Sequence, residues 1–234
     1  MYPVGDRVRK LAEALSDSQI SVVWNAARDL ARLGPAANPA LPQLRAASEA
    51  SDPTSVLWAT YAIARITGAE PASIPFFVAA LNDARIFPGM AATVLAALGP
   101  LAIDAVRPLA AQLASPISDN RWSAAAALAR IGPGAATAVP QLAAALKDTD
   151  EKVRWYAAHA LAEIGEGAAE AVPELIACLE DPDEDVRGYS AIALGQIASP
   201  AATAALAELL DDLNGNVRAS ALSALQKIQS ATNE

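Results

Sequence analysis

A period of about 33 residues runs through the chain and constrains its fold more than any other feature. One apolar position recurs at Leu11, Leu44, Phe77, Leu109, Leu142, Leu175 and Leu206. A second recurs at Leu30, Ile63, Leu95, Leu128, Leu161, Leu194 and Leu225. The spacings are 33, 33, 32, 33, 33 and 31 residues in the first series and 33, 32, 33, 33, 33 and 31 residues in the second. Because two independent positions agree on the period, the sequence predicts about seven repeats of one structural unit.

The repeated unit is clearest in residues 148–165, which read DTDEKVRWYAAHALAEIG. Asp150 is placed to cap the start of a helix, and Gly165 is suited to a left-handed cap at its end. Spacings of three and four put one apolar face on this helix, made of Val153, Ala157, Ala160, Leu161 and Ile164. Trp155 and His159 fall on the opposite face, so the sequence predicts that they point away from the core of their own helix.

Each repeat is predicted to hold a short first helix, a turn, a second helix and a loop. The residues placed to cap second helices are Asp52, Asp150, Asp183 and Asn214. The prolines placed in the first turn of first helices are Pro42, Pro75, Pro140 and Pro173. No alternating strand pattern is present. One pair of helices cannot bury both of its apolar faces, whereas stacked pairs can.

The sequence therefore predicts an all-α protein, a right-handed α-solenoid of about seven two-helix repeats with the second helices lining its concave side. We expect a single solenoid domain over residues 1–234. The approximate repeat bounds are 4–34, 38–68, 72–99, 104–132, 138–165, 171–198 and 201–230.

Two repeats, KDTDEKVRWYAAHALAEIG and EDPDEDVRGYSAIALGQI, resemble HEAT-like repeats, in particular the subclass named for phycobilisome lyases. The resemblance implies that the second helices form an inner surface that binds other proteins. It also implies a ladder between the aspartates at the start of second helices and a recurrent arginine, found here as Arg121, Arg154, Arg187 and Arg218. The third repeat departs most, because Pro88 replaces this arginine and is predicted to start the second helix late. A hinge, a contact loop and a degenerate repeat all remain open for it.

Charge is uneven along the chain and argues against nucleic acid as a partner. The net charge is -9, which disfavours binding to phosphate. Residues 1–147 carry 12 Lys and Arg against 10 Asp and Glu, whereas residues 148–234 carry 5 against 16. The amino-terminal residues lack the apolar segment of a secretory signal, so we expect a cytoplasmic protein. The uncharged stretch 86–103 contains prolines and glycines and fits the repeat, so we expect no membrane span.

Catalysis and metal binding find little support in the sequence. His159 is the only histidine and Cys178 the only cysteine, which excludes a histidine-rich or multi-cysteine metal site. Cys178 lies in an apolar helical run and is predicted to be a buried, inert thiol. The acidic turns lack the loop pattern of a calcium site. We therefore expect a protein that is not an enzyme and holds no cofactor and no metal.

The candidate functional residues occupy three columns of outward positions on the second helices, defined by Trp155, His159 and Glu163. These columns vary between repeats while the core positions hold Ala, Leu and Ile. Their large or charged members form the predicted protein-binding groove: Trp24, Arg28, Arg32, Leu57, Tyr61, Arg65, Trp122, Arg130, Trp155, His159 and Ile192. Tryptophan, tyrosine and arginine are typical of interaction hot spots. The alternative is that each tryptophan covers only the neighbouring helix.

The sequence thus favours a non-enzymatic scaffold that binds a protein or peptide in this groove. One alternative is a lyase-like or chaperone-like subunit that handles a tetrapyrrole (bilin), as the lyase branch of the resembling family does. Another is a structural spacer or oligomerisation module, because Leu222 occupies a column that otherwise holds Ala or Thr. The sequence slightly favours a monomer and does not identify the partner.

Overall fold

The computed structural model describes residues 4–68, 70–86 and 89–232, which form fourteen α-helices and no strand. In order they are α1 (Val4–Ala14), α2 (Ile20–Leu33), α3 (Leu41–Ser48), α4 (Pro53–Thr67), α5 (Glu70–Ala80), α6 (Met90–Leu98), α7 (Val106–Gln112), α8 (Ser118–Ile131), α9 (Val139–Ala145), α10 (Glu151–Ile164), α11 (Val172–Ala177), α12 (Glu184–Ile197), α13 (Thr203–Glu208) and α14 (Gly215–Thr232). Odd-numbered helices are first helices and even-numbered helices are second helices. The predicted all-α solenoid class with about seven two-helix repeats is confirmed, while its right-handed sense stays a prediction.

The helices form two compact units, Met1–Leu95 (unit 1) and Ala96–Glu234 (unit 2). In unit 1, α2 packs against α4, and α3 and α5 pack beside α4. In unit 2, the second helices α8, α10, α12 and α14 pack in sequence, each beside its own first helix. Side chains on a second helix therefore lie next to those of the following repeat. The single domain over 1–234 stays a prediction.

Leucine and alanine at the repeated positions form the core of each unit. The leucines with no exposed surface include Leu30, Leu44, Leu109, Leu128, Leu142, Leu161, Leu175, Leu194 and Leu206, and each such burial contributes about 1.5–3 kcal/mol. Alanines between them allow close helix packing. At Gly195 on α12, a Cβ would lie only 2.7 Å from Ala224 Cα on α14. Ile63 and Leu225 are only half-buried.

The predicted caps of the second helices are confirmed. Asp52 accepts a hydrogen bond from the Ser55 N–H at 2.7 Å, and Asp150 accepts one from Lys152 at 2.9 Å. Asp183 and Asn214 cap α12 and α14 in the same way. Each cap satisfies a donor that the helix leaves free and contributes about 1 kcal/mol.

The segments between repeats are more regular than the predicted loops. Gly34–Ala40, Gly99–Ala105, Gly132–Ala138 and Gly165–Ala171 are 3-10 helices that lead into the next first helix. Gly165 has φ 68° and ψ -135°, a combination that is essentially limited to glycine. The predicted left-handed helical cap at Gly165 is therefore wrong in ψ, although the positive φ explains why a glycine is needed there.

The predicted proline positions hold in three repeats and fail in the third. Pro42, Pro140 and Pro173 lie in the first turn of their helices. Pro75 instead lies inside α5, because that helix begins earlier, at Glu70. The predicted late start at Pro88 lies outside the described residues.

An arginine–aspartate ladder joins the repeats of unit 2. In each rung, the Nε and Nη2 of an arginine donate to both carboxylate oxygens of an aspartate in the next repeat: Arg121 to Asp148, Arg154 to Asp181 and Arg187 to Asp212. The Nε–O distances are 2.7, 2.7 and 2.8 Å. The aspartates lie two residues before the caps, not at the caps themselves, because the carboxylate must also accept the N–H of the cap residue.

The apolar stretch Met90–Gln112 is long and apolar enough to span a membrane by length and composition, with a mean hydropathy of 1.5, and half of it is buried inside the protein. It is not one regular helix, since α6 ends at Leu98 and Gly99 has φ 56°. A 3-10 segment follows, in which Ala102 has non-helical backbone angles. The buried half belongs to the repeat cores. That the chain has no membrane partner stays a prediction.

Candidate functional site

The predicted groove residues of unit 1 are joined by a chain of aromatic contacts. Trp24 on α2 stacks on Trp58 of α4, with 6.4 Å between the ring centroids. Trp58 meets Tyr61 edge to face at 5.8 Å, and Tyr61 meets Phe77 of α5 at 6.3 Å. Such contacts orient the rings and contribute about 0.5–1.5 kcal/mol each beyond the area that they bury. The aromatic chain thus connects the three repeats of this unit.

A similar chain joins three repeats of unit 2. Trp122 on α8 stacks on Tyr156 of α10 at 5.7 Å, and Trp155 on α10 meets Tyr189 of α12 at 5.9 Å. The His159 ring is 4.8 Å from the same Tyr189 ring. The indole N–H of Trp122 donates to Asp119 at 3.0 Å. These contacts therefore hold the aromatic rings of unit 2 in defined orientations.

One rule describes these contacts in both units. A ring in the Trp155 column of one repeat packs against a ring on the second helix of the next repeat. That second ring lies one residue after the Trp155 column. The pairs are Trp24 with Trp58, Trp122 with Tyr156, and Trp155 with Tyr189. The tryptophans do cover the neighbouring helix, but Trp24, Trp122 and Trp155 each remain half-buried rather than fully enclosed.

The structure corrects two of the predicted groove residues. Leu57 has no exposed surface and Tyr61 is 7% exposed, so their predicted place on an exposed groove surface is wrong. Helical periodicity shows which way a side chain points from its own helix, whereas exposure also depends on the next repeat. The half-buried predicted residues are Trp24, Arg28, Arg65, Trp122, Trp155, His159 and Ile192, and the exposed ones are Arg32 and Arg130.

Two of the three arginines predicted in unit 1 donate hydrogen bonds to carboxylates. Arg32 Nη1 lies 3.3 Å from Asp29 Oδ1, and Arg65 Nη1 lies 3.2 Å from Glu70 Oε1. Arg28 lies over the Trp24 ring, with its Cζ 5.5 Å from the ring centroid. Its Nε is 3.9 Å from Asp29 Oδ1, which is too long for a hydrogen bond.

Tyr61 lies beside two of these arginines. Burial raises the pKa of its hydroxyl, the positive charge of Arg65 opposes that rise, the negative charge of Glu70 adds to it, and the positive charge of Arg32 opposes it. Since Arg32 belongs to α2 and Arg65 to α4, the hydroxyl is close to charges from both second helices. The unit 1 part of the predicted groove therefore combines aromatic rings with three arginines and with the carboxylates of Asp29 and Glu70.

Several polar atoms in these columns and beside them are buried without a hydrogen-bond partner among the described residues. They are Arg28 Nε and Trp58 Nε1 in unit 1, and Trp155 Nε1 and His159 Nδ1 in unit 2. His159 Nε2 lies 3.5 Å from Glu163 Oε1. A buried polar atom without a partner costs about 1–3 kcal/mol. Trp58 is not among the predicted groove residues, although it lies one residue past the Trp155 column, as Tyr156 and Tyr189 do.

The remaining reactive groups lie away from these columns. Cys178 is buried as predicted, and burial raises the pKa of its thiol to about 11. The thiol is thus protonated at neutral pH and a weak nucleophile. A cleft of about 530 Å³ lies beside α1 and is lined by residues that include Val8, Ala12 and Gln43. Within the described ranges, no group of three or more His, Cys, Asp or Glu side chains could hold a metal ion.

Comparison with known proteins finds similarity to this chain both in sequence and in fold. The family described as HEAT repeats matches residues 106–179 and 139–226, which together span more than half of the chain. No curated protein sequence matches significantly. Among solved structures, one engineered protein is 27% identical, with a TM-score of 0.62 over 95% of this chain and 96% of that chain. A second engineered protein is 25% identical, with a TM-score of 0.65 over 95% of this chain and 68% of that chain.

A designed armadillo repeat protein in complex with the peptide (KR)4 is 20% identical, with a TM-score of 0.54 over 94% of this chain and 99% of that chain. This likeness concerns the fold alone. The repeated helical pairs and the sequence match lead to one conclusion: the chain belongs to the HEAT-repeat family.

Proposed function

We propose that the protein is a non-enzymatic scaffold that binds a protein or peptide along the outward columns of its second helices. The observation that carries this proposal is on α10. Trp155 Nε1 and His159 Nδ1 lie one helical turn apart, and both are buried without a partner among the described residues. The two nitrogens are buried, but the rings that carry them are half-buried, so part of each ring surface is open to a ligand. A bound peptide would supply both an apolar surface and hydrogen-bonding groups.

The side chains around this pair support recognition rather than catalysis. Trp122 and Tyr156 extend the aromatic surface, and Arg130 lies exposed one column further on. Aromatic rings bury large areas with little loss of side-chain entropy, and tryptophan, tyrosine and arginine dominate interface energetics. A structural relative with a bound peptide, the designed armadillo protein with (KR)4, is a precedent for peptide binding by stacked helical repeats.

Alanine substitutions of the tryptophans would confuse binding with stability, because these rings pack on the next repeat. A cleaner variant is Ala126→Arg on α8, since Ala126 is half-buried one turn after Trp122 and one turn before Arg130. A long charged side chain there obstructs the surface of the column. The matched control is Ala144→Arg on the first helix α9, where Ala144 is exposed. Arg130→Glu is a second variant at an exposed position.

The test is selection of binders from a displayed library of random short peptides, followed by titration of individual peptides against wild type and variants. We expect Ala126→Arg to weaken the selected peptides by about tenfold or more, while Ala144→Arg leaves their affinity unchanged. Circular dichroism melting confirms that each variant is folded. If no peptide is enriched, or if both alanine variants weaken binding equally, the proposed surface is wrong.

A further inference from the structure

The aromatic rings of unit 2 form one continuous surface that has a carboxylate at each end. At one end, Asp119 accepts the indole N–H of Trp122 at 3.0 Å. At the other end, Glu163 Oε1 lies 3.5 Å from His159 Nε2. The ring centroids between them are 5.7, 4.3, 5.9 and 4.8 Å apart, in the order Trp122, Tyr156, Trp155, Tyr189 and His159. We call these five rings and two carboxylates the ring surface.

The ring surface is accessible, and its two carboxylates keep their negative charge. All five rings are half-buried. Asp119 is exposed, and the Glu163 side chain is 56% exposed. A carboxylate can accept about four hydrogen bonds. Asp119 accepts one from a neutral indole, and the contact of Glu163 with His159 is long. Both carboxylates can therefore accept further bonds from a cation.

Negative charge also dominates around the ring surface. Glu151 and Asp185 lie one helical turn before rings of α10 and α12, and both are exposed. The cations on the same second helices include Lys152 and Arg130, which are exposed as well. Residues 96–234 carry 9 Lys and Arg against 18 Asp and Glu, so unit 2 holds the entire net charge of -9. Such a field attracts cationic ligands and repels anionic ones.

Unit 1 shows how an arginine packs on a ring of the same column. Arg28, one turn after Trp24, has its Cζ 5.5 Å from the centroid of the Trp24 ring. In unit 2 the position one turn after Trp122 holds Ala126, which is small and half-buried. A guanidinium supplied by a partner can therefore take the place over Trp122 that Arg28 takes over Trp24.

We propose that the ring surface of unit 2 binds an arginine-rich peptide segment, with guanidinium groups stacked on the rings and paired with Asp119 and Glu163; this deepens the proposed function and rests on it. A guanidinium is planar, stacks on aromatic faces and donates two parallel hydrogen bonds to a carboxylate. A cation within about 6 Å of a ring centroid is also attracted by the ring itself. A nucleic acid or an acidic peptide would instead be repelled by the charge of unit 2.

The test measures fluorescence anisotropy of three labelled peptides of equal length, (RS)5, (KS)5 and (ES)5, titrated with the full chain. We expect (RS)5 to bind at least about tenfold more tightly than (ES)5. It should also bind about threefold more tightly than (KS)5, because lysine lacks the planar fork that stacks on rings and pairs with carboxylates. Added salt should weaken the binding of (RS)5.

Three outcomes of this titration overturn the inference. Equal or tighter binding of (KS)5 would show attraction by charge without arginine stacking. Equal or tighter binding of (ES)5 would show that the negative charge of unit 2 does not select the ligand. Absence of binding by (RS)5 would show that the ring surface does not hold arginine.

Variants that remove a charge and keep the shape of the side chain assign binding to the ring surface. Asp119→Asn keeps an oxygen that can accept from Trp122, and Glu163→Gln is equally conservative. Each should weaken (RS)5 by about threefold, and the double variant by about tenfold. The matched control is Glu208→Gln, at an exposed position of the first helix α13. Equal weakening by this control would show general charge attraction and overturn the assignment.

Failure of this inference can be told apart from failure of the proposed function. If the displayed library yields peptides that Ala126→Arg weakens but that lack arginine, the scaffold function stands and the arginine preference is wrong. If no peptide is enriched and (RS)5 does not bind, both proposals are wrong. A single-stranded oligonucleotide that binds more tightly than (RS)5 would identify a nucleic acid as the partner and overturn the inference.

Discussion

Replacing Arg154 with alanine tests how strongly the ladder joins neighbouring repeats. Its Nε and Nη2 donate to the two carboxylate oxygens of Asp181 at 2.7 and 2.9 Å, and its Nη1 donates to the Asp148 carbonyl at 3.0 Å. The side chains of Arg154 and Asp181 are 14% and 8% exposed. Water can therefore replace these bonds only in part when the arginine is removed.

The magnitude follows from this degree of burial. A fully exposed ion pair contributes about 0–1 kcal/mol, and removing one partner of a fully buried pair costs about 3–5 kcal/mol. With both side chains mostly covered, we expect Arg154→Ala to lower the free energy of unfolding by about 2–3 kcal/mol. Most of this loss should persist at high salt, because buried pairs are screened much less than exposed ones.

Arg218 provides a control within the same column. Its Nη1 donates to the carbonyls of Asp212 and Leu213 at 2.7 and 3.1 Å, as Arg154 does in its own turn. Among the described residues, however, it pairs with no carboxylate of a following repeat, and it is exposed. Arg218→Ala should therefore cost less than about 1 kcal/mol. The difference between the two variants isolates the bond between repeats.

The assay is urea unfolding followed by far-ultraviolet circular dichroism, fitted with a nearest-neighbour model because repeat proteins unfold in a repeat-wise manner. The double variant of Arg154→Ala and Asp181→Ala completes the cycle, with an expected coupling energy of about 1–2 kcal/mol. Equal losses in Arg154→Ala and Arg218→Ala would show that only the local carbonyl bonds matter. A coupling energy near zero would refute the ladder as a source of stability.

Two further predictions concern acid and helix packing. The hydrogen bond from Arg187 holds the pKa of Asp212 below its ordinary value, so this contribution to stability is present above about pH 4 and is lost as the pH falls through the folded-state pKa. A melting temperature that does not fall in acid would contradict this. Gly195→Ala should destabilise the protein by about 1–3 kcal/mol, because its Cβ would lie 2.7 Å from Ala224 Cα. Gly188→Ala is the control, since its Cβ would meet nothing closer than 3.9 Å, and equal melting of the two variants would refute the packing argument.

The helical class and the caps could be predicted because they depend on residues close together in the chain, and the repeat number could be predicted because the same pattern recurs along it. The 33-residue period shows that one unit recurs, and Asp150 caps α10 through a backbone N–H only two residues away. Leu161 lies in the core because its own helix sets its direction. The caps and the helix faces are decided within one helix or one turn.

The tertiary structure decided the features that depend on the next repeat. Leu57 and Trp155 share one column, yet Leu57 is fully buried and Trp155 is half-buried. The ladder arginines point to aspartates of the next repeat, two residues before the caps, and Arg28 Nε and Trp58 Nε1 lack acceptors among the described residues. Neither result follows from helical periodicity, because periodicity gives the direction of a side chain from its own axis. The contacts that the side chain then makes depend on which residues the neighbouring helix brings against it.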